Sequence, residues 1–325
     1  MKLSEAKELY LKDCANRQLS PQTIKKYGVG IDSFMKCTGD IEITSVTRED
    51  VRKWRDWLLN CQAFIDHSHP NEALRKGKKL STHTIRSRIG SVRIFLNWLV
   101  YEDFIAKNPA NKVKMPAKAK RQPKAINEAD FQKMVAVAHS HHGAVNKDSA
   151  DIFPKRNLAL LYALRSSGAR IGALLNIKVD SLTIYDDGAV ARTITKGQGG
   201  GQEVDVLFSD QAAIALLEWL DVRPSEAVDH GDYLFCGIEG GRGKKMTSSA
   251  VLSMLNRLAA RAGVDNPHFS HSFRHGFAID SLENGADLSE ISAMLHHSSV
   301  KTTADFYLHF GTSKLRKIHQ RTAPA

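Results

Sequence analysis

Five side chains in the second half of this 325-residue chain are of the types needed to break a phosphodiester without a metal: Arg170, His271, Arg274, His297 and Tyr307, in that order. A phenol with a pKa near 10 is almost wholly protonated at neutral pH, so a tyrosine that attacks phosphorus needs a base to take its proton. His271 is the natural acceptor. Negative charge then grows on the non-bridging oxygens, where arginines supply forked, permanently charged donors. Arg170 and Arg274 suit that task, with His297 adding a hydrogen bond. His271 and Arg274 are spaced i, i+3, so on a helix both project from one face toward one phosphate. Ten residues separate His297 from Tyr307, about 15 Å along an unbroken helix. Convergence therefore requires a break, expected at Ser298-Ser299, with a new helix restarting at VKTTADFYLHF to carry Tyr307 back.

Taken singly, each feature has a blander reading. HSFRH at helical spacing is more often a satisfied histidine beside a surface arginine, and Tyr307 between Phe306 and Phe310 reads as a core tyrosine. The conjunction decides. SSGARIG carries Arg170, TITKGQGGG carries Lys196, HSFR carries His271 and Arg274, and LHHSSVKTT carries His297 ten residues before Tyr307. In order and spacing these segments resemble the tyrosine recombinase (phage integrase) family over residues 126–325, and the helical N-terminal part looks like that family's core-binding domain.

The resemblance implies a site-specific recombinase that cleaves and rejoins DNA through a 3′-phosphotyrosyl intermediate on Tyr307. Lys196, on a β-hairpin, would protonate the departing 5′ oxygen. It further implies double-stranded recombination sites as substrate, a homotetramer on DNA, exchange through a Holliday junction, and no metal or nucleotide cofactor. Accessory proteins that set direction, the mobile element served and the target sequence stay open. Two positions depart from the family pattern: Ala173 stands where an acid is usual, and His296 where glycine usually precedes the histidine. Two other readings also stay open: topoisomerase IB-like relaxation, and a DNA-binding regulator whose active site has decayed. T-T-x-x-x-Y favours the recombinase over the first, and retention of both arginines and Tyr307 argues against the second.

These residues must be held by a suitable scaffold. The first hundred residues read as helices: Ser20-Pro21 is an N-cap followed by proline at the first helical position, and Thr47 with Asp50 makes a capping-box-like start. From Ser81 to about Phe104, Ile85, Ile89, Val92, Leu96 and Leu99 recur at helical spacing, while Arg86, Arg88 and Arg93 lie on other faces as a basic outer side. Residues 107–124 hold seven Lys/Arg, no acid and three prolines, and read as an extended basic linker that could lie along a phosphate backbone. Its Lys118, Lys120 and Arg121 join Arg86, Arg88 and Arg93 as candidate DNA contacts. Beyond it, helical periodicity is interrupted once, by β-favouring runs from Leu182 to Phe208 broken at Asp-Asp-Gly and at a glycine-rich turn. The expected fold is mainly α with a small antiparallel sheet: a helical core-binding domain over 1–106, a linker over 107–125, and an α+β catalytic domain over 126–325.

Charge agrees with a polyanionic partner. Net charge is +11, and residues 1–125 hold 25 Lys+Arg against 13 Asp+Glu, leaving 21 against 22 for the rest. A one-sided charge of that size attracts polyanions in a salt-dependent way. Other classes fall away. The most apolar short run, Ile94 to Tyr101, is far below spanning length, and MKLSEAKELYLK lacks the apolar core of a signal peptide, so a cytoplasmic protein without membrane contact is expected. Cysteines at 14, 37, 61 and 236 form no CxxC pair and suit reduced, packed thiols. Histidine clusters at 139, 141, 142 and at 296, 297 lack HExxH, and no metal site is expected. GGRGKK (Gly240 to Lys245) fails as a phosphate loop, because Lys245 sits where Ser or Thr is required.

Overall fold

The computed structural model describes residues 1–60, 79–117, 125–140, 151–195, 201–264, 270–297 and 299. The chain divides into two compact units, Met1–Arg121 and Gln122–Ala325.

In the first unit the described residues form four α-helices: α1 (Leu3–Asn16), α2 (Pro21–Thr38), α3 (Arg48–Asn60) and α4 (Thr82–Tyr101). Their starts follow from the sequence. Ser20 accepts a hydrogen bond from the Thr23 amide with Pro21 at the first helical position, and Ser81 accepts one from the Thr84 amide. The Thr47 amide donates to Asp50 Oδ2 (2.9 Å) while the Asp50 amide donates to Thr47 Oγ1 (3.2 Å), a reciprocal cap. The core is aromatic. Tyr10 packs between Phe95 and Trp98, and Phe34 meets Trp54 edge-on. Helix α4 contributes Ile85, Ile89, Val92, Leu96 and Leu99, all buried on the expected stripe.

The linker expected from residue 107 does not begin there. Residues 107–117 belong to the first unit: Ala110 and Val113 are buried in its core and Asn108 is 8% exposed. Asn108 Nδ2 reaches the Arg93 carbonyl (3.1 Å) and its Oδ1 receives the Ala110 amide (2.7 Å). Arg93 donates to the carbonyls of Ala110 and Val113, and Arg86 to that of Pro116. The basic side of α4 is thus partly covered by the segment that follows it. Charge and proline content marked that segment as solvated, but its few apolar residues fill the core and its carbonyls take up the guanidinium groups. Arg88 is half-buried. Lys118, Lys120 and Arg121 lie outside the described residues.

The second unit contains α5 (Glu128–Ala138), α6 (Ile152–Ser167), the short α7 (Ile171–Leu174), strands β1 (Leu182–Tyr185), β2 (Gly188–Thr195) and β3 (Gln202–Ser209), then α8 (Asp210–Val222), α9 (Ser248–Arg261), α10 (Ser270–Glu283) and α11 (Leu288–Met294). The sheet has strand order β1-β2-β3 and is antiparallel, turning at Asp186-Asp187. Strict alternation along β3 sends Val204, Val206 and Phe208 inward. Helix α6 is buried on most of its surface, from Leu158 through Leu164, because β3, α8 and α10 pack around it. Arg165 of α6 bonds the Ile126 carbonyl (3.1 Å), Glu128 (3.0 Å) and Asp280 of α10 (2.6 Å), which fixes α10 against the start of the unit.

Candidate active site

Helix α6 ends at Gly168, whose φ of +57° is a left-handed cap that glycine adopts without steric cost. A Cβ there would lie 2.6 Å from the Phe277 ring and 2.9 Å from Leu295. Gly168→Ala is expected to cost about 2–4 kcal/mol, from left-handed strain and overpacking together. Urea unfolding checks this, and a loss under 1 kcal/mol would show that the turn adapts. The close approach brings the segment carrying Arg170 against α10 and the end of α11.

Arg274 ties these three pieces together. It is 5% exposed, and its guanidinium donates to the carbonyls of Gly168 (2.9 Å) and Leu295 (2.5 Å). Each acceptor lies two residues from another candidate: Gly168 from Arg170, and Leu295 from His297. Arg170, exposed at the N-cap of α7, donates to the His296 carbonyl (3.3 Å). Both arginines therefore hold adjacent carbonyls of one turn.

That turn ends α11 earlier than expected. The helix stops at Met294, Leu295 is the C-cap, and His296 has φ +50°. The His297 amide bonds the Ser292 carbonyl (3.0 Å) and the His296 amide bonds that of Ala293 (2.9 Å). This 6→1 and 5→2 pair is a Schellman motif with His296 at the left-handed position. The departure from glycine noted in the sequence falls at the residue where glycine would be cheapest, and a histidine there costs about 1 kcal/mol. The motif presents the Leu295 and His296 carbonyls to the arginines; Ser298 and the expected helix restart lie outside the described residues.

The electrostatics place four of the sequence candidates in one field. His271, exposed in the first turn of α10, has its pKa lowered by partial desolvation and then by Arg274 and Arg170. His297 is brought down to about 4 by burial, Arg274 and Arg170. His275, which the sequence reading passed over, is brought down to about 4 by burial, His271 and Arg274. Its signal was the i, i+4 spacing from His271, which puts it on the same helix face. All three imidazoles are neutral at pH 7, so His271 can accept a proton.

The shifts also set an acid limit. Unfolded histidine takes up its proton near pH 6.5, whereas folded His275 and His297 do so only near 4. Between those values the unfolded chain binds more protons, so stability falls as pH drops from about 6.5 to 4, and these groups contribute no slope above that window. Urea midpoints from pH 7.5 to 4.5 should fall, and more shallowly in a His275→Gln, His297→Gln double variant. An unchanged slope in that variant would contradict this assignment.

The hairpin of β2 and β3 is fixed to the same region. Thr193 Oγ1 donates to the Ala173 carbonyl (3.0 Å), Asn176 Nδ2 to that of Ile194 (2.9 Å), and His296 Nε2 lies 3.0 Å from that of Asp205. Buried Ala173, standing where the family pattern carries an acid, thus meets the hairpin through its backbone. Lys196 and Tyr307 lie outside the described residues. So do His141 and His142; among the described residues no three His, Cys, Asp or Glu side chains gather as a metal site would need.

The chain thus combines a helical N-terminal unit with a helical unit that carries a three-stranded sheet, and in the latter two arginines bond one turn and bear on two histidines. Residues 124–313 match the phage integrase family and residues 8–103 its N-terminal SAM-like domain. The chain belongs to the phage integrase family. Tyrosine recombinase XerC of Leptospira interrogans is 26% identical over 317 residues, covering 97% of this chain and 91% of that protein. XerC of Corynebacterium efficiens is 30% identical over 298 residues, covering 88% and 89%. In fold, the chain is similar to the XerH site-specific recombinase bound to a palindromic difH substrate in a post-cleavage complex, with a TM-score of 0.69 at 17% identity, over 93% of this chain and 80% of that one.

Proposed function

We propose that this chain is a site-specific DNA recombinase that cuts and rejoins strands through a 3′-phosphotyrosyl bond on Tyr307. The observation that carries the reading is that Arg170 and Arg274 bond adjacent carbonyls of the turn leading to His297, and that both guanidiniums bear on His271 and His297. The relatives' names as tyrosine recombinases support the class of reaction.

In the proposed step, Tyr307 Oη forms a bond to phosphorus as its proton passes to neutral His271. Arg170 and Arg274 stabilise the charge on the non-bridging oxygens, and neutral His297 donates a hydrogen bond to one of them. The bond from phosphorus to the 5′ oxygen breaks, and that oxygen takes a proton from Lys196. Because the phosphotyrosyl ester retains the energy of the bond it replaces, a free 5′ hydroxyl can reverse the step on another strand without ATP. Fixed cationic donors do the work that a metal performs elsewhere, so the reaction is proposed to need neither metal nor nucleotide. The substrate is duplex DNA carrying recombination sites, engaged by a homotetramer. The N-terminal unit, which carries the excess positive charge, supplies salt-sensitive affinity.

Suicide-substrate trapping tests this. The protein is incubated in EDTA with nicked duplexes drawn from the sequence flanking its gene, and a protease-sensitive covalent adduct is sought on denaturing gels. An adduct is expected. Tight, salt-sensitive binding to a defined site with no adduct would instead support a DNA-binding regulator, the second reading that Ala173 motivates.

A further inference from the structure

We infer that His296 is a positioning residue: its imidazole latches the β2–β3 hairpin to the turn that carries His297, so that the hairpin and the two arginines share one frame. Four observations converge on it. His296 occupies the left-handed position of the Schellman motif with φ +50°, a conformation that favours glycine. Glycine would meet the backbone requirement at lower cost, so what a histidine adds at this position is its side chain. That side chain places Nε2 3.0 Å from the Asp205 carbonyl of β3. A carbonyl only accepts, so Nε2 carries the proton and donates. The same residue offers its own carbonyl to Arg170 (3.3 Å), and the Leu295 carbonyl beside it receives Arg274 (2.5 Å).

One residue therefore joins three elements: the segment after α6, the end of α11, and β3. The attachment on β3 is well placed. Asp205 pairs directly across the ladder with Arg192, and the carboxylate of Asp205 binds that guanidinium at 2.9 Å, which couples β3 to β2. Lys196 follows β2 by one residue. The other two ties, from Thr193 to Ala173 and from Asn176 to Ile194, hold β2; on β3, where Val206 and Phe208 are buried in the core, His296 adds a polar tie on the outward register of Asp205. With both strands tied, shear of the hairpin base relative to the arginines is opposed from β3 as well as from β2.

The inference rests on the recombinase reading for its rate readout, and the test separates the two. His296→Gly frees the left-handed position and removes the latch. It should fold at least as well as wild type and bind DNA equally, yet form covalent adduct roughly ten- to a hundredfold more slowly in single turnover, the scale expected when a reacting group is misplaced. His296→Gln can place an amide N–H near Nε2 and should recover part of that rate, whereas His296→Asn tolerates the backbone but is too short and should not. Hydrogen exchange supplies a readout that needs no catalysis: amides pairing β2 with β3 should exchange about tenfold faster in His296→Gly. Cleavage by His296→Gly at the wild-type rate, or unchanged exchange of those amides, overturns the latch. If wild type forms no adduct on any duplex, the recombinase reading fails while the exchange result still decides the latch.

Discussion

Tyr307→Phe will bind recombination-site DNA with the affinity and salt dependence of wild type and form no covalent adduct. Phenylalanine preserves the ring and removes only the hydroxyl, so DNA contacts made elsewhere persist. Binding draws on the basic first unit, where residues 1–125 carry 25 Lys+Arg against 13 Asp+Glu, and the slope of log affinity against log salt counts phosphates neutralised. That slope should not move. Cleavage should fall by at least about 10⁴-fold, the scale of losing a nucleophile while its helpers remain. Gel shifts across a salt series and single-turnover cleavage measure the two halves. Residual adduct in the variant would mean that another group attacks.

Arg274→Ala will fail in two ways at once. Its guanidinium is buried and bonded to the Gly168 and Leu295 carbonyls, and stranding buried acceptors costs about 1–3 kcal/mol each. A fall of roughly 3 kcal/mol in unfolding free energy is expected on that basis. Cleavage should fall by at least about 10²–10³-fold from the lost charge at phosphorus alone. Arg274→Lys separates the effects. A point-charge ammonium on a flexible stem keeps the positive field but cannot reproduce the fork that spans both carbonyls, so it should recover part of the rate and little of the stability. Full activity in Arg274→Lys would show that charge is all the site requires. His271 and His297 report the same loss, since Arg274 helps hold both pKa values down. In Arg274→Ala both imidazoles should titrate closer to 6.5 by NMR.

Much of the scaffold was legible because its causes are local. Ser20, Ser81 and the Thr47–Asp50 pair cap helices by bonds spanning three residues, and the strand runs alternate around Asp186-Asp187 as written in the sequence. The helical i, i+3 spacing of His271 and Arg274 was equally readable, and both stand on α10. What the sequence hid depends on distant partners. Nothing within Lys107 to Lys124 reveals that Ala110 and Val113 are buried, or that Arg93 and Arg86 bond carbonyls 17 to 30 residues away. Arg274 reads as a phosphate ligand, yet its bonds reach residues 106 and 21 positions away. His296 reads as a substitution in a motif, and only the backbone shows it in the left-handed region facing β3. That α11 already ends at Met294 was hidden for the same reason: the closure depends on the carbonyls of Ser292 and Ala293.

The two departures from the family pattern therefore differ in kind. At Ala173 the side chain is lost but the backbone carbonyl anchors Thr193 of the hairpin. At His296 a side chain is gained, and the imidazole makes a bond that glycine could not. Only the second therefore alters how the hairpin is tied to the turn that Arg170 and Arg274 hold.

Mapping the covalent bond tests the central claim most directly. The trapped protein–DNA adduct, formed in EDTA, is digested with protease and nuclease, and the surviving nucleotidyl peptide is sequenced by mass spectrometry. A nucleotide joined through its 3′ phosphate to Tyr307 is expected, with a free 5′ hydroxyl on the released strand. A linkage on any other residue, or one through a 5′ phosphate, would contradict the claim.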